Sequence, residues 1–326
     1  MDILNPPTLR ERAEFALRRG REPKKLVTAY ACVIVGLSLL ITLADLWLED
    51  QISGTSGLSN LGNRAIFSTA QVALPMVASF VSMCLELGYL GGMMRIVRGQ
   101  YADHTDLKIG FRKLWPLVRM SLFQGAVYFT ATLLAVQLGS TIFAMTPLAD
   151  PMLEILTPLM ASGTAAIDEA TLAALMDTMG PMFIITGIVS LLLVIPILHR
   201  YRMANYCLLD EPNGRALAAL RTSSRIMRRR FLSMLKIDLS LWPYYVATLV
   251  MTVIMYLDMI LSTLGIVIPM DARLLSLLVY CAALAVQFLI QFTLRNKVEA
   301  TYLAAYEQLR EKPKDNGVVL GNIFDM

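Results

Sequence analysis

The first feature of this sequence with a recognisable chemistry is a group of five arginines within ten residues: Arg221, Arg225, Arg228, Arg229 and Arg230. The guanidinium group is a planar fork of N–H donors that matches the oxygen atoms of a phosphate. Beside a membrane, each basic residue near the surface contributes about 1 kcal/mol of attraction to anionic lipid. The group therefore predicts contact with the phosphates of lipid headgroups.

A second candidate is Glu86, a carboxylate in the middle half of a long apolar stretch. Counting back from Arg95 at about 1.5 Å per helical residue places it roughly 13 Å deep, or about 9 Å from the centre if the stretch is centred near residue 80. A charge there costs about 2.5 kcal/mol or more, so the carboxyl group needs a proton, a hydrogen bond or water. Because no Lys or Arg is expected at the same depth, we do not expect an ion pair.

Two interpretations of Glu86 follow. The preferred one is a structural hydrogen bond to a neighbouring Ser, Thr or Tyr side chain. The alternative is a polar cavity that opens to the cytoplasm, in which Glu86 exchanges a proton or a cation.

Patterns typical of enzymes and metal sites do not occur in the sequence. It contains no HExxH, GxSxG or P-loop motif, and no pair of carboxylates at an active-site spacing. The four cysteines lack CxxC spacing, and neither His104 nor His199 has a partner at metal-ligand spacing. We therefore expect no catalytic residue, no metal and no cofactor, and a function that is not enzymatic.

The composition predicts an integral membrane protein. Of the 326 residues 56% are hydrophobic and 17% charged, and the mean hydropathy is +0.58. A helix needs about 20 apolar residues to cross a bilayer. The stretches long enough are residues 27–47, 66–94, 117–143, 181–198, 238–262 and 273–294. The predicted fold is all-α, a multi-pass bundle of six transmembrane helices with cytoplasmic amphipathic helices.

The distribution of positive charge predicts the orientation of this bundle. Of the 29 Lys and Arg residues, 27 lie in the N-terminal segment, the second and fourth connections and the C-terminal segment. Because basic residues near span ends stay in the cytoplasm, we expect both termini there. The third connection, 146–180, carries only acidic charges and is expected outside, with a short helix at 165–178.

We predict a single membrane domain over residues 1–326. It would comprise an amphipathic helix at 1–26, the six-span bundle at 27–309 and a cytoplasmic tail at 310–326. Gly88 and Gly92 form a GxxxG pair in the second span, which is typical of close helix packing.

Short amphipathic helices are predicted before the first, third and fifth spans. The first would be capped by Thr8 with Glu11 and end at Gly20. The second has three apolar residues on one face, Leu107, Phe111 and Leu114. Because each helix is followed by a span out and a span in, the chain has the pattern of a threefold repeat about the membrane normal.

The third amphipathic helix, 213–230, contains the five arginines. Its predicted apolar face consists of Leu217, Leu220, Met227 and Phe231, and the arginines occupy the other side. A basic amphipathic helix of this kind lies in the headgroup plane, so we expect it along the inner leaflet.

Three segments, 87–115, 201–243 and 298–309, together carry a pattern of small, acidic and aromatic residues. The pattern consists of Asp106 with Gly110–Phe111, then Tyr201, Ala204, Tyr206, Asp210 and Pro212, then Ala219–Leu220 with Ser223 or Ser224 and Ile226–Met227. In these residues the chain resembles the bacterial integral-membrane family catalogued as domain of unknown function 975. It departs at Arg228, where the family usually has glycine, and at Ala305 before Tyr306, where the family has Phe before Tyr. The resemblance implies a multi-pass bacterial membrane protein and carries no established activity.

Two functions remain open. The first is a non-enzymatic interaction or envelope-organising protein of the bacterial cell membrane, with lipid contact at the inner leaflet. The alternative is a small-molecule or ion transporter or channel. The expected partners are anionic lipid headgroups and either a membrane protein or a second copy of the chain, and basic residues beside membrane spans require no nucleic acid.

Overall fold

A computed structural model describes residues 4–19, 23–54, 61–161, 169–211, 214–228, 230–257, 260–261 and 272–311. Within these ranges the chain is helical apart from short turns and contains no strand, which confirms the all-α fold class.

The α-helices are numbered along the chain. They are α1 (Pro6–Arg19), α2 (Pro23–Gly54), α3 (Leu61–Val97), α4 (Ile109–Arg112), α5 (Leu114–Ala144), α6 (Asp150–Ala161), α7 (Glu169–Tyr201), α8 (Ala204–Asp210), α9 (Ala216–Met227), α10 (Phe231–Ser240), α11 (Trp242–Met255), α12 (Ala272–Ile290) and α13 (Asn296–Glu311). Two 3-10 helices cover His104–Lys108 and Pro147–Ala149, and a π-helix covers Gln291–Arg295.

Five helical stretches in the described residues are long and apolar enough to cross a membrane. They are Lys24–Ile52, Ala65–Val97, Leu114–Ala144, Thr178–Asp210 and Leu277–Arg310. A sixth is present if the bent pair α10 and α11 is one span. The structure thus has five or six candidate spans, and the count of six and the threefold repeat remain predictions.

The predicted fifth span, 238–262, is not one straight helix. The axes of α10 and α11 differ by 67° across Leu241. Pro243 lies in the first turn of α11. Proline has no N–H to bond to the preceding turn, but the first turn of a new helix tolerates it. The chain therefore ends one helix and begins another here.

Two other predicted boundaries are wrong. The last span was expected to end at residue 294, but α12 continues through the π-helix into α13, so the helix reaches Glu311. The outer loop 146–180 was expected to hold a separate helix at 165–178. Residues 165–168 lie outside the described residues, and the rest of the predicted helix, from Glu169, belongs to the long helix α7. A separate helix, α6, occupies Asp150–Ala161 instead.

The chain divides into two compact units. Unit 1 comprises Met1–Leu117, Asn205–Arg215 and Leu232–Met326, and unit 2 comprises Val118–Ala204 and Ala216–Phe231. In unit 1, α3 packs against α2, α4 and α13, α1 lies on α13, and α11 lies on α12. In unit 2, α7 packs against α6 and α9.

Burial in unit 1 is concentrated at one end of its long helices. The buried side chains include Leu26, Val27, Tyr30, Leu85, Leu87, Tyr89, Leu90, Met93, Leu107, Ala300, Leu303 and Tyr306. The other parts of α2 and α3 expose large apolar side chains, among them Leu40, Leu43, Trp47, Val72 and Met76. Every residue of α11 is described, and none is buried. Apolar surface of this extent suits contact with lipid rather than water.

The first two amphipathic helices differ from their predicted form. Helix α1 begins at Pro6, so Thr8 is not its cap, and the Thr8 hydroxyl donates to the Asn5 carbonyl oxygen at 2.9 Å. Gly20 lies outside the described residues. The second helix is broken into the 3-10 turn, α4 and the start of α5. Consequently Leu107 is buried while Phe111 and Leu114 are exposed.

Candidate functional site

The first candidate site is the arginine-rich helix α9 of unit 2. Its buried face consists of Ala216, Ala219, Leu220, Ser223 and Met227. Leu217, which was expected on this face, is 47% exposed. The small residues Ala216, Ala219 and Ser223 allow α9 to lie close to α7, where the Ser223 hydroxyl donates to the Arg200 carbonyl oxygen at 3.1 Å. Leu217 is not part of this close contact between α9 and α7, and its side chain is therefore exposed.

Three of the five predicted arginines lie on the open side of α9. Arg221, Arg225 and Arg228 are exposed, and Arg228 follows the last helical residue. Arg230 is half-buried just before α10, and Arg229 lies outside the described residues. The helix is therefore shorter than the predicted range 213–230.

The exposed arginines line a cavity of about 950 Å³ within unit 2, which we call the arginine cavity. Its basic wall is formed by His199, Arg200, Arg221, Arg225 and Arg228. Its apolar wall is formed by Phe123, Val127, Pro196, Leu217 and Phe231. The ring of His199 meets the ring of Phe231 edge to face, with 5.0 Å between centroids. The cavity is thus lined both by groups that suit an anion and by groups that suit hydrocarbon.

Arg200 contributes a fourth guanidinium group that the sequence analysis did not single out. Its Nε donates to the hydroxyl oxygen of Ser224 at 2.5 Å, which ties the end of α7 to α9. The only sign of this residue in the sequence is its position at a span end, beside His199. Its meeting with α9, 24 residues later, depends on tertiary packing.

The second candidate site surrounds Glu86 in unit 1, and here the structure corrects the sequence prediction. Glu86 forms an ion pair: Arg295 Nη2 donates to Glu86 Oε1 at 2.8 Å. No such pair was expected, because the last span was taken to end before Arg295. The helix continues, and the π-helix ends at Arg295.

Arg295 is the more buried partner of this pair, with 12% of its side chain exposed against 45% for Glu86. Its Nη1 donates to Gln291 Oε1 at 3.0 Å, and its Nε lies 3.9 Å from Glu299 Oε1. Its guanidinium carbon lies 5.1 Å from the ring centroid of Tyr30, and that ring stacks on Tyr89. Two carboxylates therefore share one guanidinium, which is also stabilised by aromatic faces.

A third polar cluster, the Asp210 network, joins α3, α8 and α13 within unit 1. Asp210 Oδ2 accepts from Arg98 Nη2 at 2.8 Å and Tyr306 OH at 2.8 Å, and it lies 2.9 Å from Arg310 Nη1. Arg98 Nε also donates to Glu307 Oε1 at 2.8 Å. The hydrogen bonds to Asp210 and Glu307 raise the pKa of Arg98 above its ordinary value. The network is electrically balanced, which is typical of a structural tie.

Asp106 and Lys113 tie the connection after α3 to its neighbours. Asp106 is buried and accepts from Arg95 Nη1 at 2.7 Å. Lys113 Nζ donates to the carbonyl oxygens of Leu208, Leu209 and Glu211 at 2.7, 2.9 and 3.2 Å, which satisfies the C-terminal end of α8. Burial lowers the pKa of the Lys113 amino group.

The glycines of α3 pack closely, but against different partners. A Cβ at Gly88 would overlap the Leu107 carbonyl oxygen, and one at Gly92 would lie 2.5 Å from Leu26 Cδ2. Gly110 in turn lies against α3, where a Cβ would overlap the Cys84 carbonyl oxygen.

In the described ranges, no group of three or more His, Cys, Asp or Glu residues could hold a metal ion.

No family model, curated protein or solved structure matches this chain. The resemblance to domain of unknown function 975 therefore stays a prediction.

Proposed function

We propose that this protein is a non-enzymatic, multi-pass protein of the bacterial cytoplasmic membrane that holds anionic lipid at the inner leaflet through α9, and that it acts there as an interaction or envelope-organising protein. One observation carries the proposal. Arg221, Arg225 and Arg228 are exposed on the side of α9 opposite its buried face. A buried face fixes the helix, and free guanidinium groups beside membrane spans attract lipid phosphate.

The experiment replaces these three arginines together with glutamine in the full-length chain. The protein is purified in mild detergent, and the retained phosphatidylglycerol and phosphatidylethanolamine are quantified by mass spectrometry. We expect the ratio of anionic to zwitterionic lipid to fall about a hundredfold, since three contacts of about 1 kcal/mol are lost and about 1.4 kcal/mol corresponds to a factor of ten.

The matched control removes three exposed positive charges from α1 by the substitutions Arg12→Gln, Arg18→Gln and Arg19→Gln. If net charge alone decides lipid retention, both triple variants will lose anionic lipid equally, and the proposal is wrong. A ratio that stays at the wild-type value in the α9 variant also contradicts it.

Transport is the second candidate function, and the surroundings of Glu86 favour it. The half-exposed carboxylate lines an open cavity of about 400 Å³ with Ser79 and Ser82 of α3 and Ile41 of α2. Polar groups on a candidate span are typical of ion pathways. If this candidate is correct, Glu86→Gln will fold normally and abolish proton or cation flux in proteoliposomes. A Glu86→Gln variant with unchanged flux removes the candidate.

A further inference from the structure

We infer that the arginine cavity binds one molecule of an anionic amphiphile, a phosphate-monoester lipid of the phosphatidic acid class, with the phosphate among the arginines and a hydrocarbon chain on the apolar wall. This inference rests on the proposed function and names the ligand of the same helix. It differs from general attraction to a charged surface, because it requires a saturable site for a single molecule.

The charge of the cavity is the first reason. Arg200, Arg221, Arg225 and Arg228 bring four permanent positive charges to one space, and none of the described lining residues is acidic. Within the described part of the chain, no carboxylate forms an ion pair with any of the four. Like charges held together raise the free energy of the folded protein unless an anion neutralises them. A phosphate monoester carries up to two negative charges and therefore suits this wall better than a phosphodiester.

The apolar lining residues favour a ligand that is not purely polar. Phe123, Val127, Pro196 and Phe231 present hydrocarbon to the same space. The volume of about 950 Å³ is far larger than a phosphate ion and lies in the range of sites for larger organic ligands. An amphiphile gains free energy from both walls, whereas free phosphate gains it from one.

The position of the lining residues along the chain is the third reason. Phe123 and Val127 lie in the candidate span Leu114–Ala144, and Pro196 and Arg200 lie in the candidate span Thr178–Asp210. Arg221 and Arg225 of α9, and Arg228 directly after it, belong to none of the candidate spans. The cavity is thus lined both by membrane-spanning helices and by a helix outside them. A lipid fits this lining, because its phosphate can lie among the arginines and its hydrocarbon chain can lie along the candidate spans.

The cavity is also held in shape before a ligand arrives. The contact from Arg200 Nε to Ser224 Oγ and the contact from Ser223 Oγ to the Arg200 carbonyl oxygen both join α7 to α9. A prearranged site loses less conformational entropy on binding than a flexible arginine-rich segment does.

The test counts lipids bound to the full-length chain by native mass spectrometry in detergent, with dioleoyl phosphatidic acid as the probe. Dioleoyl phosphatidylcholine has the same chains without net charge, and glycerol 3-phosphate has the headgroup without chains. We expect saturable binding of one phosphatidic acid, no comparable binding of phosphatidylcholine, and no displacement by glycerol 3-phosphate at equal concentration. Equal binding of phosphatidylcholine, or displacement by glycerol 3-phosphate, overturns the inference.

Two substitutions of exposed valines on α5 form a matched pair. Val127→Trp fills the cavity without removing an arginine, whereas Val136→Trp lies outside the cavity lining. We expect Val127→Trp to weaken the one-to-one complex about tenfold or more and Val136→Trp to leave it unchanged. If Val127→Trp binds one phosphatidic acid as tightly as Val136→Trp does, the inference is wrong.

Arg225→Gln provides a second variant, because this exposed residue can be replaced without disturbing the fold, and it should also weaken the complex about tenfold. The outcomes separate the two proposals. A Val127→Trp variant that keeps the one-to-one complex, beside an α9 triple variant that loses its anionic lipid preference, rejects the cavity and leaves the proposed function intact. An α9 triple variant that keeps its anionic lipid preference rejects the proposed function and also this inference, because the phosphate site uses the same arginines.

Discussion

At the scale of single residues, the polar side chains of unit 1 act mainly as ties between helices. Asp106, Tyr206 and Asp210 belong to the pattern quoted for the family resemblance, and each is bonded to a distant partner: Arg95, Glu299 and Arg98. Carboxylates in such positions need partners, because a buried charge without one is costly. The sequence pattern could single out the first member of each pair. It could not identify the second, because the partners are joined only by tertiary packing.

Glu86 is another polar residue whose partner could not be identified from the sequence. The apolar stretch around it predicts that the carboxylate needs a partner, and the structure provides one in Arg295. That partner could not be predicted, because the apolar pattern ends at residue 294 while the helix continues to Glu311. The helix is longer than the apolar stretch within it, and Arg295 is the first residue after that stretch ends.

The Glu86–Arg295 pair gives a prediction about the order of two stability losses. Arg295→Met leaves Glu86 and the mostly buried Glu299 without their cation, so we expect a loss of about 3 kcal/mol or more. Glu86→Gln keeps an acceptor for Arg295 and should cost about 1 kcal/mol. Thermal unfolding of both variants in detergent measures the order. Equal losses, or a larger loss for Glu86→Gln, would contradict the assignment of Arg295 as the centre of the cluster.

Gly110 gives a second prediction at this scale. A methyl group there would overlap the Cys84 carbonyl oxygen, so Gly110→Ala should destabilise the protein by about 3 kcal/mol. Gly36 is the matched control, because a Cβ at that helical position meets no atom within 4 Å. Gly36→Ala should leave the unfolding midpoint unchanged or raise it slightly. A Gly110→Ala variant as stable as Gly36→Ala would show that the contact with α3 is not required.

At the scale of elements, hydrophobic length predicted the five helical stretches that are long and apolar enough to cross a membrane, whereas periodicity failed at the short helices. The predicted apolar face of 213–230 included Leu217, yet the buried face of α9 is made largely of smaller residues such as Ala216 and Ala219. The reason is physical: α9 lies close to α7, and a close contact favours small side chains over large ones. Pro243 in the sequence indicates a kink in the predicted fifth span, and the bend of 67° lies beside it at Leu241.

Lys113 gives the prediction at this scale, because it satisfies the end of α8. Replacing Lys113 with methionine keeps much of the apolar stem but removes the donor to three carbonyl oxygens, so we expect a loss of about 1–3 kcal/mol and faster amide exchange in α8. Lys108→Met, at an exposed position in the same connection, is the control and should change neither quantity. The measurement is the rate of amide hydrogen exchange in α8, compared between the two variants and the wild type. Unchanged protection of α8 in Lys113→Met would contradict the capping role.

At the scale of the whole molecule, composition was sufficient to predict an all-helical chain with several helices long and apolar enough to cross a membrane. It was not sufficient to predict the two units, because unit 1 combines three separate parts of the chain. Nor could it predict that burial in unit 1 would be concentrated at the ends of α2 and α3 where Lys24, Lys25 and Arg95 lie. The rest of α2 and α3 exposes apolar side chains, which suit contact with lipid.

The central claim is that the arginines of α9 meet the inner leaflet, and the orientation of the chain tests it most directly. In a background in which Cys32, Cys84, Cys207 and Cys281 are serine, one cysteine is introduced at exposed Thr222 of α9 or at exposed Asp150 of α6. Gly214 is unsuitable for this purpose, because its φ of +59° disfavours a side chain. An impermeant maleimide is then applied to intact cells. The account predicts that the cysteine at 150 is labelled and the cysteine at 222 is labelled only after the cells are opened. Labelling of the cysteine at 222 in intact cells, with protection of the one at 150, would contradict it.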